Sequence, residues 1–326
     1  MGTNAVDVLM EASAEHLRAG RLHEASGSLA VVLEIEPRHV RARFLQSAIA
    51  ANRGDYSSAL ASLGRLTEMN PQTASAPEVL ELRGFALVGQ GQIGASIAAF
   101  RDMFVASPGY QEQKARQYIR QVNPSDRPLH WKAPEGLFEG SRDAASVFSS
   151  IYARTVWGGG SGAGSNIERT TAYVGLVQYL IASRAVRSIV DLGCGDWRFS
   201  RYLDLTGVRY LGVDVVPAVI EANNAQFATD DIRFELADVA SFELEGLDLV
   251  LCKDVLQHLS NTNVLEVCRR LAGGKCWLIT NDFHPVNDDC RNGDTRPLDP
   301  TAAPFHVPAR PVLAFGGKVA FLAAGN

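Results

Sequence analysis

Close-spaced cysteine pairs and long apolar runs are both missing from this sequence. Its five cysteines form no Cys-x-x-Cys pair, so neither a zinc site nor a disulfide framework is predicted. No stretch resembles a membrane span, and residues 1–20 lack the apolar core of a secretory signal. We therefore expect a cytoplasmic protein that does not bind membranes.

The sequence also lacks an excess of positive charge. With 31 Lys and Arg against 36 Asp and Glu, its formal net charge is −5. General binding to DNA or RNA needs a concentrated basic face, so no nucleic-acid partner is predicted. The length of 326 residues suits about two domains, and 46% hydrophobic residues suffice for a buried core.

The first third of the chain repeats with a period of about 34 residues, marked by prolines 37, 71 and 108. Each proline is preceded at a fixed distance by a glycine, by a small residue and by an apolar residue: Gly20, Gly54 and Gly91, then Ala25, Ala59 and Ser96, then Leu29, Leu63 and Phe100. A 34-residue period that ends in proline is the tetratricopeptide signature. We predict repeats at 6–39, 40–73 and 77–110, with extra residues between the second and third, and a terminal helix over 110–122. Such repeats bind a partner protein or pair two copies of the chain; the alternative is a purely structural extension.

The strongest signal lies in residues 188–196, which read Ser-Ile-Val-Asp-Leu-Gly-Cys-Gly-Asp. An apolar strand here runs into Asp191, Gly193 and Gly195, and glycines at this place let a ligand approach the backbone. A second strand ends in Asp214, 19 residues after Gly195. At that spacing an acidic residue meets ribose hydroxyls. A third strand ends in Asp238, and a fourth, residues 247–252, leads into Lys253 and Asp254.

The third glycine of the dinucleotide fingerprint is missing, because Arg198 occupies its position. A pyrophosphate ligand is therefore disfavoured, and a nucleoside with a carboxylate and an amine on its tail fits better. The run resembles motif I of the class I S-adenosylmethionine-dependent methyltransferases, a resemblance that covers about residues 145–326. It implies an α/β fold with a Rossmann-like, mostly parallel seven-stranded sheet, preceded by the all-α repeat domain.

These features predict three segments: a helical repeat domain at 1–122, a linker at 123–140 and a methyltransferase domain at 141–326. The linker begins with Asn123-Pro124-Ser125-Asp126-Arg127-Pro128, which breaks the preceding helix. Residues 311–315 and 318–322, joined by two glycines, predict a β-hairpin that closes the sheet.

The resemblance implies S-adenosylmethionine as cofactor. In the family, the acid and the glycines of motif I flank its amino-acid part, the acid after strand two holds the ribose, and the acid after strand three contacts the adenine amine. Ahead of motif I, a glycine-rich run over residues 157–165 leads into an amphipathic helix, which predicts a lid rather than a flexible linker. The expected cofactor contacts are Trp157, Gly159, Asp191, Gly193, Gly195, Asp214, Val215, Asp238, Val239 and Lys253.

Candidate bases follow strands four and five, because ligands in such sheets lie at the carboxyl ends of the strands. They are Asp254, His258, Asp282 and His284. Asp254 and His258 face the same way if a helix has begun by then. Asp254, Asp282 and His284 would also suit Mg²⁺ or Mn²⁺, but their spacing matches no metal motif, so no metal ligand is predicted.

A polar loop further on offers Arg296 and Asp299 as substrate contacts. The segments 157–162, 252–259 and 296–299 together resemble a bacterial subfamily of these methyltransferases, which implies a sugar or glycan acceptor. The predicted function is O-methylation of a sugar or glycan hydroxyl, assisted by a general base. The alternatives are N- or O-methylation of a peptide or natural product, and a repeat scaffold whose methyltransferase fold is idle.

Overall fold

The computed structural model describes residues 4–128, 131–132 and 143–324, so positions 129–130 and 133–140 of the predicted linker, and the start of the predicted domain at 141, lie outside the described residues. Contacts divide the chain into two compact units, residues 1–108 and 109–326. The predicted segment boundaries stay predictions. No described helix is both long and apolar enough to cross a bilayer.

The first unit consists of three successive helix pairs, as the repeat pattern predicts. The helices are α1 (Ala5–Arg18), α2 (Leu22–Ile35), α3 (Val40–Asn52), α4 (Tyr56–Met69), α5 (Pro77–Gly89) and α6 (Ile93–Ala106). The extra residues before the third pair form a short 3₁₀ helix, Pro71–Ser75. The repeat interpretation is confirmed at the level of the fold.

The residues that recur at the same position in each repeat explain how the two helices of a pair turn and pack. Gly20, Gly54 and Gly91 end the first helix of each pair at φ +72°, +79° and +73°, in the left-handed region that favours glycine. The small residues Ala25, Ala59 and Ser96 are fully buried between helices. In the third pair the hydroxyl of Ser96 donates to the carbonyl of Gly84 at 2.8 Å and so links the two helices.

The second unit is built on one seven-stranded sheet with the order β3-β2-β1-β4-β5-β7-β6. The strands are β1 (Ser188–Leu192), β2 (Arg209–Asp214), β3 (Ile232–Leu236), β4 (Leu249–Lys253), β5 (Cys276–Asp282), β6 (Ala309–Phe315) and β7 (Lys318–Ala324). The first five are parallel, whereas β7 is antiparallel to β5 and to β6. The predicted fold class and the terminal hairpin are therefore confirmed.

Five helices belong mainly to this unit: α7 (Pro108–Gln121), α8 (Ala144–Ala153), α9 (Ile167–Ser183), α10 (Pro217–Phe227) and α11 (Asn261–Arg269). Helix α7 forms where the terminal helix is predicted. Its Tyr118 ring meets the ring of Phe283, with centroids 6.3 Å apart, beside the buried Val319 and Phe321 of β7. The central strands β1 and β4 are buried along their whole length, as expected for parallel strands covered on both faces.

Candidate active site

A cavity of about 440 Å³ opens at the carboxyl ends of β1 to β4. Most of the predicted cofactor residues line it: Trp157, Gly193, Gly195, Asp214, Val215, Asp238, Val239 and Lys253. Parallel strands bring their carboxyl ends to one edge of the sheet, which is why residues far apart in the sequence meet here. Gly159 and Asp191 are not part of the lining.

Two carboxylates converge on this cavity from neighbouring strands. Asp214 accepts hydrogen bonds from the backbone N–H groups of Gly195 (3.0 Å) and Val216 (3.1 Å), and burial raises the pKa of its carboxyl. Asp238 accepts one from the N–H of Ala240 at 2.8 Å. Each carboxylate oxygen can accept a further bond. The pair therefore fits the ribose hydroxyls and the amine of an adenine nucleoside.

The glycine-rich segment 157–165 lies directly on motif I. The Ser161 hydroxyl accepts from the backbone N–H of Asp196 at 2.9 Å and shares a hydrogen bond with the Tyr152 hydroxyl at 2.8 Å. Gly195 has φ +54°, and a Cβ there would lie 2.1 Å from the Ser161 oxygen. Glycine is needed at this position because the glycine-rich segment packs against its bare backbone. Motif I and the glycine-rich segment thus form one wall of the cavity.

Arg198, which occupies the place of the missing third glycine, holds the glycine-rich segment in place. Its guanidinium pairs with Asp196 at 2.8 Å, donates to the side-chain oxygen of Asn166 at 3.0 Å and donates to the carbonyl of Gly159 at 3.4 Å. Gly159 therefore contacts motif I through its carbonyl and contributes nothing to the lining. Arg198 therefore connects the glycine-rich segment to motif I.

Asp191, the acid that opens motif I, faces its neighbours in the core. Its carboxylate accepts from the hydroxyls of Tyr210 at 2.6 Å and Ser200 at 2.9 Å. Burial raises the pKa of this carboxyl to about 6, although both hydroxyl donors oppose the change. The cofactor contact expected of Asp191 stays a prediction.

Four alternating charges form a cluster where β4, β5 and β7 meet. Lys253 pairs with Asp254 at 2.5 Å, and Lys318 pairs with Asp254 and with Asp282 at 2.8 Å each. Burial raises the pKa of the Asp254 carboxyl, but the two ammonium groups outweigh it and the pKa is lowered. Burial lowers the pKa of the Lys318 ammonium, and the two carboxylates reverse this to a raised value. Asp254 and Lys318 are therefore charged at neutral pH.

Asp254 adopts an uncommon backbone conformation within this cluster. Its φ is +58°, in the left-handed region that aspartate tolerates better than most residues. Its N–H donates to the carbonyl of Thr280 at 2.7 Å, which ties the turn after β4 to β5. Residues 256–258 then form a 3₁₀ turn, and α11 begins only at Asn261. The regular helix that would align Asp254 with His258 is therefore absent at these positions, yet both residues line the cavity.

His258 lies against an aromatic wall. Its ring and that of Trp157 have centroids 4.9 Å apart at an interplanar angle of 33°, and Phe148 meets both rings edge-on or tilted. Burial lowers the pKa of the imidazole, although the carbonyl of Asp294 and the nearby carboxylate of Asp254 oppose this. His258 is therefore neutral at pH 7 and able to accept a proton.

Residues 190–278, which run from β1 into β5, match the family model of a methyltransferase domain. The chain carries a class I S-adenosylmethionine-dependent methyltransferase domain. The predicted domain class and its cofactor are thereby confirmed.

Several known methyltransferases are similar to this chain. The ubiquinone biosynthesis O-methyltransferase of Xanthomonas oryzae pv. oryzae is 24% identical over 106 residues, which are 30% of this chain and 44% of that protein. Phosphoethanolamine N-methyltransferase 1 of Zea mays is 29% identical over 130 residues, 37% of this chain and 25% of that protein. The solved 1,6-didemethyltoxoflavin-N1-methyltransferase of Burkholderia thailandensis has a TM-score of 0.41 and 19% identity, over 63% of this chain and 95% of that one. The chain spans less than half the length of the first curated relatives it matches.

Besides Gly159 and Asp191, three further predicted site residues lie outside the cavity lining. His284 is buried and accepts from the N–H of Val286 at 3.2 Å. Arg296 is fully buried, and its guanidinium donates to the carbonyl of Leu259 at 3.1 Å. Asp299 accepts from the backbone and the hydroxyl of Thr301, at 2.8 and 2.7 Å. Their catalytic and substrate roles stay predictions.

Asp254, Asp282 and His258 are the candidate catalytic residues that the structure brings together. Among the residues that the structure describes, no group of three or more His, Cys, Asp or Glu side chains is arranged to hold a metal ion.

The sequence interpretation missed several residues of the site: Phe148, Tyr152, Ser161, Gln257, Thr295 and Lys318. Lys318 is placed by strand pairing, which the sequence alone does not fix. It is the first residue of the second hairpin strand, and the antiparallel register sets it opposite Asp282, at the carboxyl end of β5. Tyr152 precedes the glycine-rich run, Ser161 lies within it, and Gln257 precedes His258 within the segment 252–259.

Proposed function

We propose that this chain is an S-adenosylmethionine-dependent O-methyltransferase that acts on a hydroxyl of a sugar or glycan. The observation that carries the proposal is a neutral histidine that shares one cavity with an aromatic wall and with two carboxylates, Asp254 and Asp282. When bound, the cofactor supplies an activated methyl group on a sulfonium. Asp214 and Asp238 would hold its ribose and adenine, beside the glycines of motif I.

The composition of the acceptor side supports a polyhydroxylated ligand. Trp157 and Phe148 offer flat apolar faces, whereas Asp254 and Asp282 offer acceptors for hydroxyl groups and Thr295 adds a hydroxyl. An apolar wall with a few convergent polar groups is typical of small-molecule sites, and the mixture suits the apolar faces and the hydroxyl edges of a sugar ring.

His258 is the proposed general base. Transfer to a hydroxyl oxygen would form the new C–O bond as the bond between methyl and sulfonium breaks and leaves a neutral thioether, and the neutral imidazole would accept the hydroxyl proton. Asp254 is a weaker base, because two lysines lower the pKa of its carboxyl. Its proposed role is therefore to bind the acceptor and to position the lysines. Alignment of the two reactants supplies about 7–11 kcal/mol of barrier reduction, and a general base adds roughly 10²–10⁴-fold.

We further propose that the helical repeats bind a protein partner or pair two copies of the chain, and that the protein works in the cytoplasm. Apolar side chains that remain largely exposed on the first unit support an interaction surface: Val31 (41%), Ile35 (51%), Phe85 (49%) and Val105 (64%). Sedimentation of the full chain over a range of concentrations tests self-association.

The decisive test begins with calorimetric titration of S-adenosylhomocysteine into the wild type and the Asp214→Ala variant. We expect micromolar binding that weakens at least about 100-fold in the variant, because removing one partner of a buried polar network leaves the other groups unpaired. Asp231→Ala, which removes an exposed carboxylate before β3, is the matched control and should bind as the wild type does. No binding by a folded wild type would point to the idle fold.

An acceptor screen with nucleotide sugars and glycans, read by mass spectrometry of the product, then tests the substrate class. His258→Ala should lower kcat by about 10²–10⁴-fold with a hydroxyl acceptor. Turnover of an amine acceptor that survives both His258→Ala and Asp254→Ala would favour the N-methylation alternative.

A further inference from the structure

Gln257 lines the cavity but is itself buried and held in place by hydrogen bonds. Only 4% of it is exposed. Its backbone N–H donates to the side-chain oxygen of Asn281 at 3.2 Å, and its carbonyl accepts from the N–H of Arg296 at 3.0 Å. The residue therefore sits rigidly between the end of β5 and the turn that carries His258.

The orientation of its side-chain amide is fixed by a backbone group. The oxygen of the amide accepts from the N–H of Asp282 at 2.8 Å. A backbone N–H can only donate, so the oxygen must face Asp282, and the amide nitrogen must face the other way. That nitrogen lies 3.3 Å from Nε2 of His258. Because the amide nitrogen carries only hydrogens toward the ring, Nε2 must offer its lone pair.

The opposite side of the imidazole leads independently to the same conclusion. Nδ1 of His258 lies 3.2 Å from the carbonyl oxygen of Asp294. A carbonyl only accepts, so Nδ1 carries the hydrogen. The Thr295 hydroxyl, 3.1 Å from Nδ1, can accept from the same hydrogen. Two groups with unambiguous hydrogen-bonding roles, one on each side, thus select one tautomer.

We propose that Gln257 is a positioning residue that holds His258 in the Nδ1–H tautomer and keeps the Nε2 lone pair available toward the acceptor hydroxyl. The use of that lone pair rests on the proposed function, whereas the tautomer does not. The 3.3 Å contact between the two nitrogens is long for a hydrogen bond, so an acceptor hydroxyl replaces it at little cost. Asp254, Asp282 and Lys318 are the charged side chains that act on His258 in the described part of the chain.

The test uses Gln257→Glu in the full-length protein. A glutamate has the same shape and can still accept from the N–H of Asp282, but its second oxygen now faces Nε2 as an acceptor. We expect Nε2 to become protonated and the pKa of His258 to rise. Gln178→Glu is the matched control, because the Gln178 amide also bridges a backbone N–H and a second acceptor, on the exposed surface beside Asp204.

Two-bond ¹H–¹⁵N correlation spectra of protein labelled in its histidines report which ring nitrogen is protonated, and a His258→Gln spectrum assigns the signal among the seven histidines. At pH 8 the wild type and Gln178→Glu should show protonated Nδ1 and bare Nε2, and Gln257→Glu should show protonated Nε2. With an acceptor in hand, kcat of Gln257→Glu at pH 7 should fall about 10-fold, a smaller loss than the roughly 10²–10⁴-fold expected when the base itself is removed, and the acidic limb should move to higher pH.

A wild-type spectrum with protonated Nε2 overturns the inference, and so does a folded Gln257→Glu protein with the wild-type pattern. The wild-type spectrum decides this even if the variant does not fold. If Gln257→Glu changes the tautomer of His258 but leaves the pH profile of kcat unaltered, Gln257 does control the tautomer. That outcome would instead refute His258 as the general base. The failure of this inference and the failure of the proposed function are thereby distinguishable.

Discussion

Replacing Lys318 by methionine removes one of the two cations that hold Asp254, and its effect on stability can be worked out from the cluster. The ammonium lies 2.8 Å from Asp254 and from Asp282, and the three side chains are 12%, 14% and 40% exposed. A buried hydrogen bond to a charged group contributes about 1.5–3 kcal/mol, and a partly exposed pair about 0.2–1 kcal/mol. Because Asp254 keeps Lys253, we expect a total loss of roughly 2–4 kcal/mol in the free energy of unfolding.

Differential scanning calorimetry of the full chain measures this loss. The chain has two compact units, so the transition of the methyltransferase unit is the one that added S-adenosylhomocysteine shifts upward. For a unit of this size the expected loss lowers the melting temperature by about 5–15 °C. Lys275→Met is the matched control, because its ammonium pairs with Asp248 while its side chain is 70% exposed, and it should cost no more than about 1 kcal/mol.

The pH dependence of the Lys318→Met effect provides a second check. The raised pKa of Lys318 gives stability that is fully present below its ordinary value of 10.5 and lost as pH rises through the raised value. The lowered pKa of Asp254 gives stability that is present above 3.8 and lost as pH falls through the lowered value. The difference from the wild type should therefore be constant over about pH 5–9 and shrink outside that range. A Lys318→Met protein as stable as the Lys275→Met control would refute this account of the cluster.

Three further substitutions test separate parts of the structure. Gly84→Ala should destabilise the repeat unit by about 1–3 kcal/mol in thermal melts, because its Cβ would lie 2.7 Å from Phe100, whereas Gly64→Ala, with open space around it, should be neutral or stabilising. Asp191 has a raised pKa near 6, so its contribution to stability is present below pH 3.8 and lost as pH rises through 6. Asp191→Asn should remove that loss of stability. If the melting temperatures of variant and wild type change in parallel across pH 4–7, this account of Asp191 is wrong. Gly195→Ala should weaken S-adenosylhomocysteine binding at least about 10-fold in calorimetry, because a Cβ at φ +54° displaces Ser161 and the glycine-rich segment, and undiminished affinity would refute that contact.

The cofactor side of the site could be predicted because it depends on strand order alone. Once four strands are recognised as parallel neighbours, the acids at their ends must meet at one edge, and Asp214 and Asp238 do line the same cavity. The repeats could also be predicted from the sequence, because each turn requires a glycine in the left-handed region.

The acceptor side was less predictable because it depends on segments without a periodic pattern. The position of Lys318 requires the exact register between β5 and β7, which the hairpin sequence does not fix. Arg296 lies in the irregular stretch between β5 and β6, where nothing in the sequence separates a buried guanidinium that holds carbonyls from one that faces a substrate. Asp254 and His258 were related by helical spacing, but a left-handed residue and a 3₁₀ turn intervene.

The pairing of Asp282 with Lys318 across β5 and β7 has a consequence for biosynthesis. A nascent chain that has emerged as far as Asp299 already contains every motif on which the cofactor and the predicted catalytic residues depend. Its Asp254 then has only one of its two cations, and the edge of β5 is uncovered. Catalytic competence should therefore appear only once β7 has emerged and pairs with β5, because this pairing brings Lys318 to a site that is otherwise complete.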